Sequence, residues 1–227
     1  NIEPASKYPR ASETIAGMLE SISKLIENGS AYVSESGSVY FAAQSFSGYG
    51  AISGNRLDSL KPGHRYEYSG DGEKRFHADW ALWKAASNRK EMIWDSPWGA
   101  GFPGWHIECV AMSTKYLGHT FDIHTGGIEH VAIHHNNEIA QSEAVTGKRP
   151  LARFWMHREH IRMGEAKLAK STGNTAYISD VTDKGYHPLA LRYWFLTSHY
   201  RTPANFTWEA LGASSQAFIR LHEKMAS

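Results

Sequence analysis

The chain has one cysteine, Cys109, among 227 residues. No disulfide can close within it, so that thiol is left as a nucleophile, a metal ligand or a small buried side chain. No stretch approaches the run of about 18 apolar residues that would cross a bilayer. The N-terminus lacks the basic, apolar and small-residue order of a secretory signal. A cytoplasmic, reducing environment is therefore expected, with no membrane partner. Charge of one sign is also lacking: 24 basic and 23 acidic side chains leave a net +1. No global field would draw in a polyanion, so any nucleic-acid contact must come from local patches. Internal repeats and low-complexity tracts are absent. The chain opens on Asn1-Ile2-Glu3-Pro4 without an initiator Met, which reads as the interior of a longer protein.

What is present can fill a core, with 41% hydrophobic and 12% aromatic residues. Ile15, Met18, Leu19, Ile22, Leu25 and Ile26 recur at helical spacing before Asn28-Gly29, predicting an amphipathic helix over 12–28. Ala31 to Val33 and Ser38 to Phe41 flank a Gly37-containing loop and predict a hairpin. Residues 42–75 read as loops and short strands. From Asp79 the tryptophans cluster (Trp80, Trp83, Trp94, Trp98, Trp105), marking a second region. There the pattern predicts a helix near 105–117, a strand over 121–124, then Gly126-Gly127, a helix near 134–146 and a strand over 154–157. That alternation predicts βαβ units and a parallel sheet. Helices over 188–200 and 208–225 follow.

The chemistry concentrates in a few segments. His134 and Glu138 are four apart, so a helix puts them on one face. With Cys109 they form a sulfur, nitrogen and oxygen set suited to Zn²⁺ with a fourth position open. Spacing alone leaves His135 with Glu138, three apart, as an alternative. The plain reading is a surface His/Glu hydrogen bond and a buried thiol. Lys167-Leu168-Ala169-Lys170-Ser171-Thr172-Gly173 sets two lysines on a glycine-flanked loop, able to offset charge on a reacting triphosphate, or simply a solvated basic loop. Asp122-Ile123-His124-Thr125-Gly126-Gly127 follows a strand with glycines that would admit a base or ribose to the backbone, or make a tight turn. Most of the tryptophans suit a core. Trp105, one helical turn before Cys109, is placed to close over whatever the metal holds.

In order, GWHIEC, FDIHTGG, HHNNEIAQSEA, WMH, KLAKSTGN, ALRYWFLTSHYR and NFTWEAL resemble cysteinyl-tRNA synthetase, a class I aminoacyl-tRNA synthetase, over essentially the whole chain. The resemblance implies that Cys109, His134 and Glu138 are zinc ligands, selecting His134 over His135, and that the zinc grips the substrate cysteine's thiolate beside Trp105. It implies that Lys167 and Lys170 belong to a KMSKS-type loop with catalytic lysines, Lys170 contacting ATP, although Leu168 and Ala169 depart from that pattern. Asp122, His124, Gly126 and Gly127 match the nucleotide-binding segment, where Thr125 stands in place of a third glycine. An HIGH tetrapeptide, a second zinc-ligating cysteine and an anticodon-binding domain do not occur in this sequence.

The implied fold is α/β. Residues 1–90 correspond to a connective-peptide insertion. Residues 91–180 correspond to the second half of a class I Rossmann-type catalytic domain, and 181–227 to a stem-contact region and the start of a helical bundle. The implied partners are L-cysteine, ATP with Mg²⁺, tRNA(Cys) and a missing N-terminal Rossmann half, without which the chain alone is expected to be inactive. Two alternatives fit the same residues: the cysteine ligase of mycothiol synthesis, which uses an amino-sugar acceptor, and a non-catalytic binding module derived from a synthetase.

Overall fold

A computed structural model describes residues 2–59, 73–163 and 177–226, with the backbone of Ala166 and Lys167. The chain divides into two compact units. One comprises Ala5–His124 and Glu129–Trp155; the other comprises Asn1–Pro4, Thr125–Ile128 and Met156–Ser227.

In the first unit, helix α1 (Ile15–Glu27) buries Met18, Ile22 and Leu25 completely, the stripe that its sequence spacing predicts. Burying each such side chain contributes about 1.5–3 kcal/mol. The predicted start at residue 12 is instead a short 3-10 turn, Ala11–Glu13. Strands β1 (Ala31–Val33) and β2 (Val39–Phe41) form the predicted hairpin. Strands β3 (Trp80–Ala85) and β4 (Gly101–Pro103) extend it to an antiparallel sheet in the order β1-β2-β3-β4. Phe41, Leu82 and Trp83 from this sheet, α1, and Ile107 from the next helix share one core.

Helix α2 (Trp105–Leu117) begins directly after β4. Gly104, its N-cap, donates its amide to the Leu82 carbonyl at 2.8 Å, and a Cβ there would collide with the Ala81 carbonyl oxygen. Only glycine lets α2 start this close to β3. Strand β5 (Phe121–Gly127), helix α3 (His134–Thr146) and strand β6 (Ala152–Arg158) follow in the expected strand-helix-strand order, with β5 and β6 paired. Gly126 and Gly127 complete β5, so the tight turn that was the plain alternative for them does not form there. Gly147, with φ 67°, ends α3 as a left-handed cap whose amide donates to the Glu143 carbonyl.

In the other unit, β7 (Ile161–Met163) pairs antiparallel with β8 (Ala166–Lys167). It also pairs in parallel with β9 (Ala204–Asn205). Helices α4 (Ile178–Asp183), α5 (Pro188–Leu196) and α6 (Trp208–Ala226) complete the unit. Val181, Trp194, Phe206 and Leu211 form its core. Helix α5 stops at Leu196, short of the expected residue 200, where the Thr197 amide and hydroxyl both donate to the Trp194 carbonyl. Among the described residues no helix is long and apolar enough to cross a membrane.

Candidate metal centre

Helix α3 breaks the usual rule for a buried helix. Residues 134 to 142 are all buried, although most are polar. Such burial is costly where a polar group finds no partner, and here it is only partly offset: the Gln141 side-chain amide and the Ser142 hydroxyl are buried without a hydrogen bond. Asn136 Nδ2 donates to Ser53 Oγ and to the Val131 carbonyl, both at 2.8 Å, and the Tyr49 hydroxyl donates to Asn137 Oδ1 at 2.8 Å. These bonds hold α3 in register.

One turn of α3 separates His134 from Glu138 and brings His134 Nε2 to 2.9 Å from Glu138 Oε1. From β5, His124 Nε2 reaches Glu138 Oε2 at 3.1 Å. From α2, Cys109 joins them: one ligand atom each from Cys109, His134 and Glu138 lie within 4.8 Å of one another, as do those of His124, His135 and Glu138. The helical spacing therefore does place His134, Glu138 and Cys109 together. It brings His135 there as well, through the second group.

The carboxylate at the centre shows what the cluster fits. Both Glu138 oxygens are buried, and despite the short nitrogen distances neither accepts a hydrogen bond of good geometry. Burial alone would raise the Glu138 carboxyl, but close contact with His124 and His134 outweighs it and holds the group well below the carboxylate range. A buried, ionised carboxylate short of donors, facing imidazole nitrogens and a thiol, is what a divalent cation would satisfy. Burial, and next the Glu138 charge, push the Cys109 thiol up to about 12, so a bound cation would have to displace its proton.

Around this set lies a layer of rings. His106 Nδ1 and His134 Nδ1 are 2.7 Å apart, so one of them carries the proton and fixes the orientation of its partner. Burial, then the neighbouring His134, depress His106 to about 3, which keeps its ring neutral. Trp105 stands 4.2 Å, centroid to centroid, from His134 and remains 55% exposed. His130 and Trp155 also pack on the histidines. Sequence reasoning missed His106 and His130 as members of this array, and offered His135 only as an alternative to His134. The one available signal was the abundance of histidine, 13 in all.

The residues expected at the nucleotide are more scattered. His124 lies against Glu138. Asp122 is exposed, with Arg153 Nη1 at 3.4 Å. Gly126 and Gly127 lie in β5, and the backbone of Lys167 lies in β8. Lys170 lies outside the described residues.

The family model described as "tRNA synthetases class I (C) catalytic domain" matches residues 1–216. The chain belongs to the cysteinyl-tRNA synthetase family. A cysteine–tRNA ligase of Aquifex aeolicus is 49% identical over 97% of this chain and 43% of its own length. That of Thermus thermophilus is 48% identical over 97% and 45%. That of Bacillus pumilus is 47% identical over 98% and 47%. The chain thus spans somewhat under half the length of these curated relatives. A crystal structure described as an arginyl-tRNA synthetase of Campylobacter jejuni superposes with a TM-score of 0.53 at 14% identity, covering 90% of this chain and 36% of that one. That likeness extends to the fold alone, the α/β fold of a class I synthetase catalytic domain.

Proposed function

We propose that this chain is the amino-acid-selecting portion of a cytoplasmic cysteine–tRNA ligase, which joins L-cysteine to ATP and passes the acyl group to tRNA(Cys). The observation that carries the proposal is the convergence of Cys109, His134 and Glu138 within 4.8 Å around a carboxylate short of donors. Zn²⁺ bound there would supply a Lewis-acidic grip on the substrate thiolate, which serine and alanine cannot offer. Glu138 and His134 then act as rigid acceptors, since α3 is packed on every side. Trp105 forms one wall for the amino acid, and His106 holds the His134 ring in place.

In the parent enzyme a carboxylate oxygen of cysteine attacks the α-phosphorus of Mg²⁺-bound ATP, and pyrophosphate leaves. Lys167 and Lys170 offset the charge growing on the phosphoryl oxygens, while Asp122, His124, Gly126 and Gly127 line the nucleotide side. The nucleophile is already ionised at neutral pH, so positioning and electrostatics supply the acceleration. In this reading residues 1–90 are the connective-peptide insertion, 91–180 the second Rossmann half and 181–227 the stem-contact region. The curated relatives are named for tRNA, which supports tRNA over an amino sugar as acceptor and an enzyme over a binding module.

Zinc content by elemental analysis and cysteine binding by calorimetry test the proposal on the unaltered chain and on Cys109→Ser. Loss of both in the variant is expected. Serine binding as tight as cysteine binding, or zinc content unchanged by the substitution, would refute it.

A further inference from the structure

Helix α3 carries His134 and Glu138, yet its first turn has no side-chain cap, since Ile133 at the N-cap position supplies none. The turn is gripped instead from far away in sequence, by residues 49–55 of the same compact unit. The Tyr49 hydroxyl donates to Asn137 Oδ1 at 2.8 Å, Asn136 Nδ2 donates to Ser53 Oγ at 2.8 Å, and Asn55 Nδ2 donates to the Ala132 carbonyl at 3.1 Å. Asn136 and Asn137 are buried, so water does not compete for the bonds they make.

The gripping segment is braced in turn. The Gly54 amide donates to the Gly50 carbonyl at 2.8 Å and the Asn55 amide to Ser53 Oγ at 3.1 Å, which closes the loop on itself. The Trp80 ring lies 5.9 Å from that of Tyr49, centroid to centroid, and stacks at 4.5 Å on Phe41 of β2. Helix α3 is thereby referenced to the antiparallel sheet.

The direction of the grip matters as much as its strength. At about 100° per residue, Glu138 lies about 40° round the helix from His134, while Asn136 lies about 160° from each of them and Asn137 about 60° from His134 on its other side. Anchors at such different angles oppose turning of α3 about its own axis. A side-chain tip stands about 5–6 Å from that axis, so a turn of about 10° would carry the Glu138 carboxylate through about 1 Å. Cys109 is carried by α2, so the same turn would change its separation from Glu138 and His134.

We propose that Tyr49 and Ser53 are positioning residues of the metal centre: through Asn137 and Asn136 they set the rotation of α3, and with it the fit of His134 and Glu138 to an ion shared with Cys109. The inference rests on the metal site proposed above. Bonds that only stabilised the fold would, when lost, lower stability and leave the metal's coordination as it was. Coupling of this kind is reciprocal, so metal bound at the centre should also slow hydrogen exchange at the Gly54 and Asn55 amides.

The test uses the full chain with Co²⁺, whose visible bands report coordination geometry and whose sulfur-to-metal band reports Cys109, and reads zinc affinity by competition against it. Tyr49→Phe and Ser53→Ala should each weaken zinc binding about tenfold and alter the Co²⁺ bands. Ser53→Thr keeps the oxygen that Asn136 needs and should restore both. Tyr32→Phe is the control for a lost hydroxyl, because Tyr32 donates to Asp79 at 2.7 Å in the same unit. It should lower the urea midpoint and leave affinity and spectrum unchanged. Zinc affinities and Co²⁺ spectra that are the same in Tyr49→Phe, Ser53→Ala and the unaltered chain would overturn the proposal, as would equal effects from Tyr32→Phe. Titrating cysteine and serine into the Co²⁺-loaded chain separates this proposal from the functional one. Failure of the unaltered chain to bind either ion overturns both. Metal binding that depends on Tyr49 and Ser53, with a spectrum that cysteine changes no more than serine does, upholds the positioning role and sinks the cysteine assignment; the reverse result sinks the positioning role alone.

Discussion

Gly104→Ala isolates how the metal centre is assembled from strand and helix. Gly104 has φ −66° and ψ 155°, a conformation open to alanine, so the substitution brings no backbone strain and its cost is purely steric. The added methyl would press into the Ala81 carbonyl, with the carbonyl carbon at 2.8 Å and Leu82 Cα at 3.4 Å. Relief requires α2 to back away from β3, which stretches the Gly104 amide bond to the Leu82 carbonyl, now 2.8 Å long. Overpacking costs about 1–3 kcal/mol and the weakened bond about 1 kcal/mol more, giving a loss of about 2–4 kcal/mol. Because Trp105 and Cys109 ride on the same helix, zinc affinity should fall alongside stability. Urea unfolding followed by tryptophan fluorescence, with calorimetric zinc titration, would measure both. Gly17→Ala is the matched control: nothing lies within 4 Å of its new Cβ, it sits inside α1, and it should stabilise by about 0.5–1 kcal/mol. A Gly104→Ala chain as stable as the unaltered one would refute the reasoning that close approach, and not chain flexibility, requires this glycine.

Trp83→Ala should destabilise the first unit by about 3–5 kcal/mol in the same urea assay, since Trp83 is wholly buried in the core. Burial raises the Tyr49 hydroxyl above its ordinary value of 10.0. A raised folded-state value contributes stability that is complete below the unfolded value and is lost as pH climbs from there toward the folded one. Melting temperature should therefore decline above about pH 10, and Tyr49→Phe should lessen that decline; an unchanged alkaline slope would contradict it. Zinc at a hundredfold excess over its dissociation constant should stabilise the chain by about 2.7 kcal/mol, reversibly on chelation. Equal denaturation midpoints with and without zinc would exclude a site confined to the folded state.

Sequence made the helices readable and left most of the site hidden. Met18, Ile22 and Leu25 repeat at helical spacing, and Gly147 stops α3, so α1 and α3 announce themselves locally. Strand β3 does not, because Trp80, Leu82 and Trp83 are all buried and the alternation of a half-exposed strand is lost. The strand over 121–124 was expected to stop before Gly126 and Gly127, since glycine weakens a strand by propensity, yet both complete β5, so position in the sheet overrides propensity. Within the site, the pairing of His134 with Glu138 could be found because it spans one helical turn. The approach of His106 and His124 to that pair could not, because it depends on α2, β5 and α3 meeting in space.

The polar, fully packed run from His134 to Ser142 also bears on how the chain can change over evolutionary time. In an apolar core a leucine can often become a methionine at little cost, because dispersion is tolerant of shape. Along α3 the neighbours demand particular donors and acceptors, as Ser53 does of Asn136 and Tyr49 of Asn137, and a same-size replacement with the wrong polarity strands both partners. Mutational robustness should therefore be lowest in one of the most hydrophilic helices, and a deep substitution scan would find the narrowest tolerance where a hydropathy plot shows nothing to protect.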